Sequence, residues 1–452
     1  MVIARVKMWG HNVGAVAWDE DRKIGFFEYE KSFLNLGLEI SPLVMPIDKA
    51  NNSPIFSFPL LPSDTFKGLP GLLADSLPDK HGTTLVNEWL IAQGRDINSF
   101  SPVERLCYIG KRGMGALEFE PAINDTNHKL SRLELSSMVQ LTNDILQKRL
   151  SLNVKLNDVD EEAILRIVQI GASAGGARPK AIVSYNHKTK EILSGQFDIP
   201  EGFVNCVLKL DGVTNDHLDS PREYGRIEYA YHIMAIDSGI IMSNCDLIED
   251  NGRAHFITQR FDRLPNNEKL HMQSLCGLAH FDFNNPNIHS YEQAFHVMRV
   301  LALPYPDAEQ MYTRMVFNDI AKNYDDHAKN FSFLMDKTGT WQLSPAYDIT
   351  YAYNPTNMWI QRHQLSINGK REKINENDFL DVAKQMSIKK PKEIIEKIRD
   401  VVSNWKDYGK ECGVSNDRIN AIDKTINLNN DAQNKIFISE NKTKGQNKGL
   451  SM

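Results

Sequence analysis

The sequence predicts a two-lobed α+β fold, and three observations lead to that prediction. The chain has 452 residues, whereas a single hydrophobic core stops growing at roughly 250–300 residues, so two or three domains are expected. Short strand-like runs, separated by loops rich in Pro and Asn, occupy the first part of the chain. Segments with helical periodicity and capping signals dominate the later part. Strands followed by helices in this order are typical of α+β proteins.

Strands are predicted where apolar residues alternate or form short continuous runs. They are expected over Val13–Trp18, Ile24–Tyr29, Ala181–Tyr185 and Phe203–Leu210. Later in the chain, Phe331–Met335 and a run through Trp341 and Leu343 flank an Asp-Lys-Thr-Gly turn. Two short strands joined by such a turn predict a hairpin.

Helices are predicted where a capping residue precedes an apolar period of 3.6 residues. One helix is expected over Leu133–Leu150. Ser220–Glu223 forms a capping-box sequence with Pro at the first helical position, and Gly239 is the expected C-cap of the helix that follows. Ser290 opens a further helix in the same way, and Asp307 is the expected cap of the next one.

Composition excludes several classes of protein. The hydrophobic fraction of 41% and the charged fraction of 24% are those of a soluble globular chain. No apolar run approaches the roughly 18 residues that span a bilayer, and the N-terminus lacks a secretory signal, so we expect a cytoplasmic protein without a membrane partner. The net charge of -6 argues against a broad grip on nucleic acid. The five cysteines form no Cys-x-x-Cys pair and are expected to be reduced.

The strongest chemical signal is the acidic stretch Asn323–Asn330. Within it, Asp325 and Asn330 are separated by four residues, a predicted helix precedes them, and Asp348 follows the predicted hairpin. Protein kinases use this order: one Asp deprotonates the acceptor hydroxyl, the Asn holds one Mg²⁺, and the later Asp holds the bridging Mg²⁺. An isolated Asp-x-x-x-x-Asn is more often a structural turn, but the surrounding elements favour the catalytic interpretation.

A glycine-rich turn and a strand lysine offer the backbone N–H groups and positive charge that bind phosphate. In Gly171–Lys180, three glycines let backbone N–H groups approach a phosphate, and Arg178 and Lys180 add positive charge. It is not a Walker A motif, and such a turn alone is often plain turn geometry. Lys209 on a predicted strand is suited to ATP phosphates, steadied by a helix carboxylate such as Glu228, although a lone strand lysine is usually solvated.

Taken together, these residues resemble the HipA-type serine/threonine kinases, the toxins of bacterial type II toxin–antitoxin systems. The matching segments follow one another over nearly the whole chain: ADSLPDKHG (74–82), GASAGGARPKA (171–181), VLKLDG (207–212), REYGRIEY (222–229), RFDR (260–263), HMQSLC (271–276), DDHAKNF (325–331), LSPAYDI (343–349) and HQLSINGK (363–370). The resemblance implies a bilobal protein-kinase-like fold, related to lipid kinases. We expect an N-terminal α/β subdomain over 1–130, a kinase N-lobe over 131–265, a mostly helical C-lobe over 266–427, and a disordered tail over 428–452.

The resemblance also implies ATP and Mg²⁺ as cofactors, with Asp325 as catalytic base and Asn330 and Asp348 as metal ligands. The implied ATP contacts are Gly171, Ala172, Ser173, Gly175, Gly176, Lys180, Lys209, Gln259, Phe261, Asp262, His327 and Lys329. Ser173 matches the serine that the family autophosphorylates, and a phosphate of about −2 there would repel the substrate's own phosphates. Asp326 stands where the best-known members have Gly, as in a longer-chain branch of the family, so their substrate choice does not carry over directly.

The expected partners are a dimeric helix-turn-helix antitoxin (HipB-like), a protein substrate, and DNA only through the antitoxin complex. Three functional hypotheses follow. The first is a Ser/Thr protein kinase toxin that phosphorylates a translation component and inactivates itself at Ser173. The second is a kinase-fold phosphotransferase for a small molecule or lipid, because the catalytic loop is atypical. The third is a corepressor module of a DNA-binding complex.

Overall fold

The computed structural model describes residues 2–78, 80–123, 131–132, 179–194, 199–211, 223–265 and 268–427. Two compact units result: the first consists of Met1–Gly225, Ser243–Asn284 and Phe331–Pro345, and the second of Arg226–Met242, Asn285–Asn330 and Ala346–Met452. Helices and sheets occur together, which confirms the predicted α+β class. The expected division at residues 130, 265 and 427 stays a prediction. Three predicted features lie outside the described residues: the helix over Leu133–Leu150, the glycine-rich turn up to Arg178 and the tail from residue 428.

The first unit begins with a five-stranded antiparallel sheet in the order β4-β3-β2-β1-β5. Its strands are β1 (Val2–Met8), β2 (His11–Asp19), β3 (Ile24–Tyr29), β4 (Ile55–Phe56) and β5 (Leu117–Glu120). Strands β2 and β3 confirm the first two predicted runs. Ala4, Val6 and Met8 alternate along β1 and are fully buried, as a strand with one face on a core requires.

Short helices accompany this sheet. They are α1 (Lys31–Leu34), α2 (Ile47–Asn52), α3 (Ser63–Phe66), α4 (Gly71–Ala74), α5 (Lys80–Ala92) and α6 (Pro102–Ile109), with a 3-10 turn at Ile97–Ser99. Helix α6 begins with a complete capping box between Ser101 and Glu104 and has Pro102 in its first turn.

A six-stranded sheet in the order β10-β11-β9-β7-β8-β6 follows in the same unit. Its strands are β6 (Ser131–Arg132), β7 (Lys180–Tyr185), β8 (Ile192–Ser194), β9 (Val204–Lys209), β10 (Cys245–Asp250) and β11 (Arg253–Gln259). Strands β7 and β9 confirm the predictions for those segments. Ala181, Val183, Cys206, Leu208 and Ile257 from the three central strands pack into one core cluster.

A third, three-stranded sheet completes the first unit. It contains β12 (His271–Ser274), β13 (Ser332–Met335) and β14 (Trp341–Leu343) in that order, and helix α8 (Leu275–Ala279) follows β12. The predicted hairpin is confirmed as β13 and β14. Its turn closes through a hydrogen bond of 3.1 Å from the N–H of Gly339 to the carbonyl of Asp336.

Two of the sequence motifs meet at the start of α8. Asp75, just after α4, accepts hydrogen bonds from the backbone N–H of Ser274 at 2.5 Å and from its hydroxyl at 2.7 Å. Ser274 in turn caps α8 by accepting from the N–H of Gly277. A Cβ at Gly71 would lie 2.1 Å from the carbonyl oxygen of Gly277, so the two backbones touch here and only glycine fits.

The second unit is mainly helical. Its helices are α7 (Tyr224–Asp237, from Arg226 onwards), α9 (Tyr291–Val300), α10 (Tyr305–Ile320), α11 (Glu376–Met386), α12 (Pro391–Ser403) and α13 (Trp405–Glu411), followed by a helical segment over 416–427. Helix α10 buries the predicted stripe through Met311, Tyr312, Met315, Val316 and Ile320.

The helix starts test the capping predictions. Ser290 caps α9 through a complete capping box, as predicted. The prediction for Asp307 is wrong, because α10 begins at Tyr305 after Pro304 and Asp307 lies within the first turn, where a negative charge still favours the helix dipole. The capping box predicted at Ser220–Glu223 lies mostly outside the described residues; within them, Glu223 has a left-handed φ of 57° and α7 begins at Tyr224.

Two further expectations concern membranes and cysteines. None of the helices in the described part of the chain is long and apolar enough to cross a membrane. None of the five cysteines forms a disulfide in the structure, and four of them are buried; their reduced state in the cell stays a prediction.

The contact between Gly71 and Gly277 yields a stability prediction. We expect Gly71→Ala to lower the free energy of unfolding by about 2–3 kcal/mol, because the added methyl group must displace backbone. Urea unfolding followed by circular dichroism measures this. Gly113→Ala is the control: its added Cβ would meet no backbone within 4 Å and only Cγ2 of Ile109 at 3.2 Å, so it should change stability by less than about 1 kcal/mol. Equal effects of the two variants would contradict the prediction.

Candidate active site

Helix α10 leads into a loop over residues 321–330, which backbone hydrogen bonds hold in place. The N–H of Tyr324 donates to the carbonyl of Ala352 at 3.1 Å, and the N–H of Ala352 donates to the carbonyl of Lys322 at 3.0 Å. The N–H of Asn323 donates back to Asn318 in the helix at 2.9 Å. The 321–330 loop is therefore fixed on one side to α10 and on the other to the chain that follows Asp348.

Asp325 and Asn330 stand at the two ends of the exposed part of this loop. The amide nitrogen of Asn330 donates to the carbonyl oxygen of Asp325 at 2.8 Å, so its amide oxygen is turned away from that bond. The side chain of Asp325 is 47% exposed, and Nε2 of His327 lies 3.8 Å from one of its carboxylate oxygens. The Asp325 carboxylate can thus reach a solvent-borne group and accept a proton from it.

Asp348 is brought to the same loop by its neighbour. The hydroxyl of Tyr347 donates to the carbonyl of Lys329 at 2.6 Å, which joins the residues that directly precede Asp348 and Asn330. Asp348 itself has a left-handed φ of 53°, an uncommon conformation for a residue with a side chain. Strained backbone of this kind clusters at functional sites.

These side chains fit a magnesium site. Mg²⁺ prefers oxygen ligands and takes only one or two carboxylates from a protein, leaving its other positions to water and phosphate. The amide oxygen of Asn330 and the carboxylate of Asp348 would supply ligands of this kind. Among the described residues, no three His, Cys, Asp or Glu side chains come together as a metal cage, and a nucleotide-dependent Mg²⁺ site needs none.

A buried polar network lies behind the loop. One oxygen of Asp326 accepts the N–H of Gln364 at 2.7 Å, and the other contacts the Tyr291 hydroxyl and Nδ1 of His363, each at 2.7 Å. Nε2 of His363 lies 3.1 Å from a carboxylate oxygen of Asp319. The imidazole therefore stands between two carboxylates, and a proton on both ring nitrogens satisfies both contacts.

His363 carries a positive charge in this setting. Burial alone would lower its pKa, but the Asp326 charge and the hydrogen bonds with Asp319 and Asp326 raise the pKa of His363 to about 9. The ring of Tyr324 packs against it with the centroids 4.2 Å apart. Burial raises the pKa of Tyr291 well above its ordinary value, so its hydroxyl remains a donor.

The expected phosphate-binding lysines lie in the first unit. Lys180 begins β7 and is paired directly with Lys209 of β9 across the antiparallel ladder. Lys180 is buried, whereas Lys209 is half-buried with its ammonium nitrogen 5.8 Å from the centre of the Phe256 ring. Ser173 and the other residues of the glycine-rich turn lie outside the described residues. Glu228 is buried on α7 in the second unit, and its pairing with Lys209 stays a prediction.

The segment after β11 was expected to contact adenine and ribose. Gln259 ends β11 and accepts a hydrogen bond from the amide of Asn244 at 3.3 Å, and Phe261 is half-buried. Both remain candidates for contact with the adenine. Both residues belong to the first unit, as do Lys180 and Lys209.

The assignment of Asp262 to the ribose is corrected by the structure. Its carboxylate is fully buried, and its oxygens are taken by Arg260 at 2.7 and 2.9 Å, Arg263 at 2.6 Å and the N–H of Gly115 at 2.7 Å. Although burial favours the neutral acid, the two guanidinium groups hold the pKa of Asp262 well below its ordinary value. Asp262 therefore anchors the chain after β11 and has no exposed oxygen for a ligand.

The structure thus places the predicted residues in two groups. The second unit holds Asp325, His327, Lys329, Asn330 and Asp348, which form one loop region. The first unit holds Lys180, Lys209, Gln259 and Phe261. Sequence reasoning missed Tyr291, Asp319 and His363 as members of the buried network. The one usable signal was Asp326, an extra carboxylate beside the expected base.

Asp262 offers a test of its structural role. We expect Asp262→Asn to lower the free energy of unfolding by about 3–5 kcal/mol, because Arg260 and Arg263 would stay buried without their counter-charge. Affinity of the folded variant for ATP should stay within about threefold. Urea unfolding and isothermal titration measure the two quantities. The control Glu268→Gln removes only an exposed ion pair with Lys337 and should change stability by less than about 1 kcal/mol. Lost ATP affinity with unchanged stability would restore the ribose assignment.

The charge on His363 predicts a pH dependence of stability. Because its folded pKa lies above the unfolded value, its stabilising contribution is complete below about pH 6.5 and is lost as the pH rises through about 9. We expect the difference in unfolding free energy between the protein and His363→Gln to shrink by about 1–3 kcal/mol between pH 6 and pH 9.5. Comparing the two proteins cancels the other groups that titrate in this range. A difference that is constant with pH would contradict the prediction.

Comparisons with known proteins find a curated relative and a similar solved structure. A curated relative, "Putative kinase Y4mE" of Sinorhizobium fredii, is 25% identical over 162 residues, which is 32% of this chain and 38% of that protein. The HipA chain in a Shewanella oneidensis structure of HipA, HipB and operator DNA superposes with a TM-score of 0.61 at 16% identity, covering 94% of this chain and 96% of that one. This likeness confirms the fold class predicted from the sequence.

Two family models locate the similarity along the chain. The model described as HipA N-terminal domain matches residues 4–120, and the HipA-like C-terminal domain matches residues 172–405. The C-terminal match includes every predicted catalytic and metal-binding position. Since it alone spans more than half of the 452 residues, the chain belongs to the HipA family.

Proposed function

We propose that this protein is an ATP- and Mg²⁺-dependent kinase that transfers phosphate to a serine or threonine hydroxyl of a protein. The observation that carries this proposal is the geometry of the 321–330 loop. An exposed carboxylate, Asp325, is tied through its own carbonyl to Asn330, and Asn330 is tied through its neighbour to the residue before Asp348. This combines a proton acceptor with two magnesium ligands, as phosphoryl transfer requires.

Each residue has a distinct task in the proposed reaction. Asp325 accepts the proton of the acceptor hydroxyl while that oxygen forms a bond to the γ-phosphorus. The bond from the γ-phosphorus to the β–γ bridging oxygen breaks, and ADP leaves. Asn330 and Asp348 would hold Mg²⁺, which neutralises charge on the phosphates when it is bound. Lys180 and Lys209 in the first unit carry positive charge that suits the phosphates of ATP.

Regulation and partners follow the family. We propose that Ser173 is autophosphorylated and that the added negative charge then prevents ATP from binding. We also propose a helix-turn-helix antitoxin as partner, with DNA reached only through that complex. The support is the match to a HipA chain that was solved with HipB and operator DNA. Growth inhibition through a phosphorylated translation component is the cellular role that this proposal implies.

The catalytic assignment is tested by Asp325→Gln. With labelled ATP and Mg²⁺, we expect the rate of autophosphorylation to fall by at least about 100-fold, because a positioned general base typically contributes that much. Removal of Mg²⁺ by a chelator should abolish labelling of the unaltered protein. Peptide mapping by mass spectrometry should locate the phosphate at Ser173.

A matched control separates chemistry from folding. Asp336→Asn changes an exposed turn carboxylate in the β13–β14 hairpin, so it should leave the rate within about twofold. Labelling of Asp325→Gln at the unaltered rate would refute the role of Asp325. A phosphate located away from Ser173 would refute only the proposed regulatory site.

A further inference from the structure

The buried network behind the 321–330 loop connects four parts of the second unit. The amide of Asn323 donates to Asn318 at 2.9 Å, and Asn318 donates to the Tyr291 hydroxyl at 3.0 Å. Tyr291 donates to Asp326, and Asp326 pairs with His363. A single chain of hydrogen bonds therefore runs from the start of the loop through α10 and α9 to the middle of the loop and on to residue 363.

From this arrangement we propose that Asp326, held by Tyr291 and His363, is a positioning residue that fixes the direction of the Asp325 carboxylate. The inference rests on the proposed function, since it assigns a role to the neighbour of the proposed base. It concerns how the loop is held and not which groups react.

Two adjacent carboxylates of the loop differ sharply in exposure. The side chain of Asp325 is 47% exposed, whereas that of Asp326 is 0% exposed. Their Cα atoms are linked by one peptide unit, so fixing the position of Asp326 fixes the backbone from which Asp325 projects. Three contacts of 2.7 Å hold Asp326: the Tyr291 hydroxyl, His363 Nδ1 and the N–H of Gln364. A carboxylate with that many partners has essentially one position.

The same contacts join the loop to the chain that follows the metal ligand. Gln364 and His363 come after Asp348 in sequence, and Arg371 donates to the carbonyl of His363 at 3.2 Å, which secures that segment in turn. The loop that carries the proposed base is thus fixed to one buried reference point. Misplacement of a catalytic group by about 1 Å can reduce the rate by about 100-fold, so such a reference point has kinetic value.

Burial also excludes a different role for Asp326. The side chain of Asp326 has no exposed surface, and both of its oxygens already accept hydrogen bonds. It therefore cannot contact an acceptor protein. Asp326, in place of the Gly of the best-known members, therefore affects how the loop is held. It leaves no new group at the surface for substrate choice.

Kinetic constants of graded variants test the proposal. Tyr291→Phe removes one donor to Asp326 and keeps the ring, Asp326→Asn keeps the shape and removes the charge, and Asp326→Gly restores the residue of the best-known family members. The quantity measured is the single-turnover rate constant of autophosphorylation at saturating ATP, written kcat below. We expect it to fall by about 3–10-fold for Tyr291→Phe and by about 10–100-fold for the two Asp326 variants. KM for ATP should stay within about threefold, because no altered group contacts the nucleotide.

The control must lose a comparable buried interaction elsewhere in the second unit. Asp378 is buried and receives hydrogen bonds from the N–H of Asn375, the amide of Asn368 and the ammonium of Lys370. None of these belongs to the 321–330 loop. Asp378→Asn should lower the melting temperature as Asp326→Asn does, while its kcat stays within about twofold of the unaltered protein.

A double-mutant cycle then asks whether Asp326 and His363 act together. We expect the kcat loss of Asp326→Asn with His363→Gln to be smaller than the product of the two single losses, since either change breaks the same contact. The proposal is overturned if kcat of folded Tyr291→Phe and Asp326→Asn equals that of the unaltered protein, or if Asp378→Asn loses as much kcat. Asp325→Gln distinguishes failure of the proposed function from failure of the positioning role. If Asp325→Gln retains full activity, the proposed function fails. If Asp325→Gln is inactive while the Asp326 variants are fully active, only the positioning role is refuted.

Discussion

An imidazole ring buried between two carboxylates holds the functional part of this protein together. His363 contacts Asp326 through one ring nitrogen and Asp319 through the other. Removing three ionisable groups from water is expensive, and the arrangement is tolerable only because nearly every polar atom finds a partner. The net charge of the trio is one negative, and the Tyr291 hydroxyl and the N–H of Gln364 donate to it. A network that depends on so many simultaneous contacts has one geometry, which suits a loop that must present a single carboxylate to a reactant.

The first unit also fixes its backbone with buried charges, but in the opposite arrangement. There, one carboxylate, Asp262, lies between two buried guanidinium groups, Arg260 and Arg263. Both guanidinium groups also donate to the carbonyl of Gly113, at 3.0 and 2.7 Å, and so attach the chain after β11 to the N-terminal part of the unit. In each unit, the buried ion cluster sits beside the residues that are expected to act on ATP and is itself closed to ligands. The charges in these two clusters fix the backbone, whereas Asp325 keeps an exposed carboxylate that can react.

The fold and the places of the 321–330 loop residues could be predicted from the sequence because both have local signals, whereas the roles of those residues stay a prediction. Alternation identified β2, β3, β7 and β9, and the spacing of Asp325, Asn330 and Asp348 identified a loop region that the structure does bring together. Side-chain contacts between residues distant in sequence could not be predicted. Tyr291 and His363 lie 35 and 37 residues from Asp326, and no periodicity links them to it. Asp262 was misassigned because a carboxylate in a linker looks the same in sequence whether it faces a sugar or two buried arginines.

The two neighbouring aspartates show how position separates roles that residue type does not. Asp325 and Asp326 are chemically identical and adjacent, yet one is exposed beside a histidine and the other is enclosed by three contacts. An exposed carboxylate on a flexible loop would lose entropy each time it met a reactant, and the enclosed neighbour removes that cost before the reactant arrives. A member of the family with glycine at this position must secure the same loop by other contacts, because glycine offers no side chain and a freer backbone. In such a member, the residue at the position of Tyr291 need not donate a hydrogen bond, and the residue at the position of His363 need not be a cation. The residues at positions 291, 326 and 363 are therefore expected to change together among relatives.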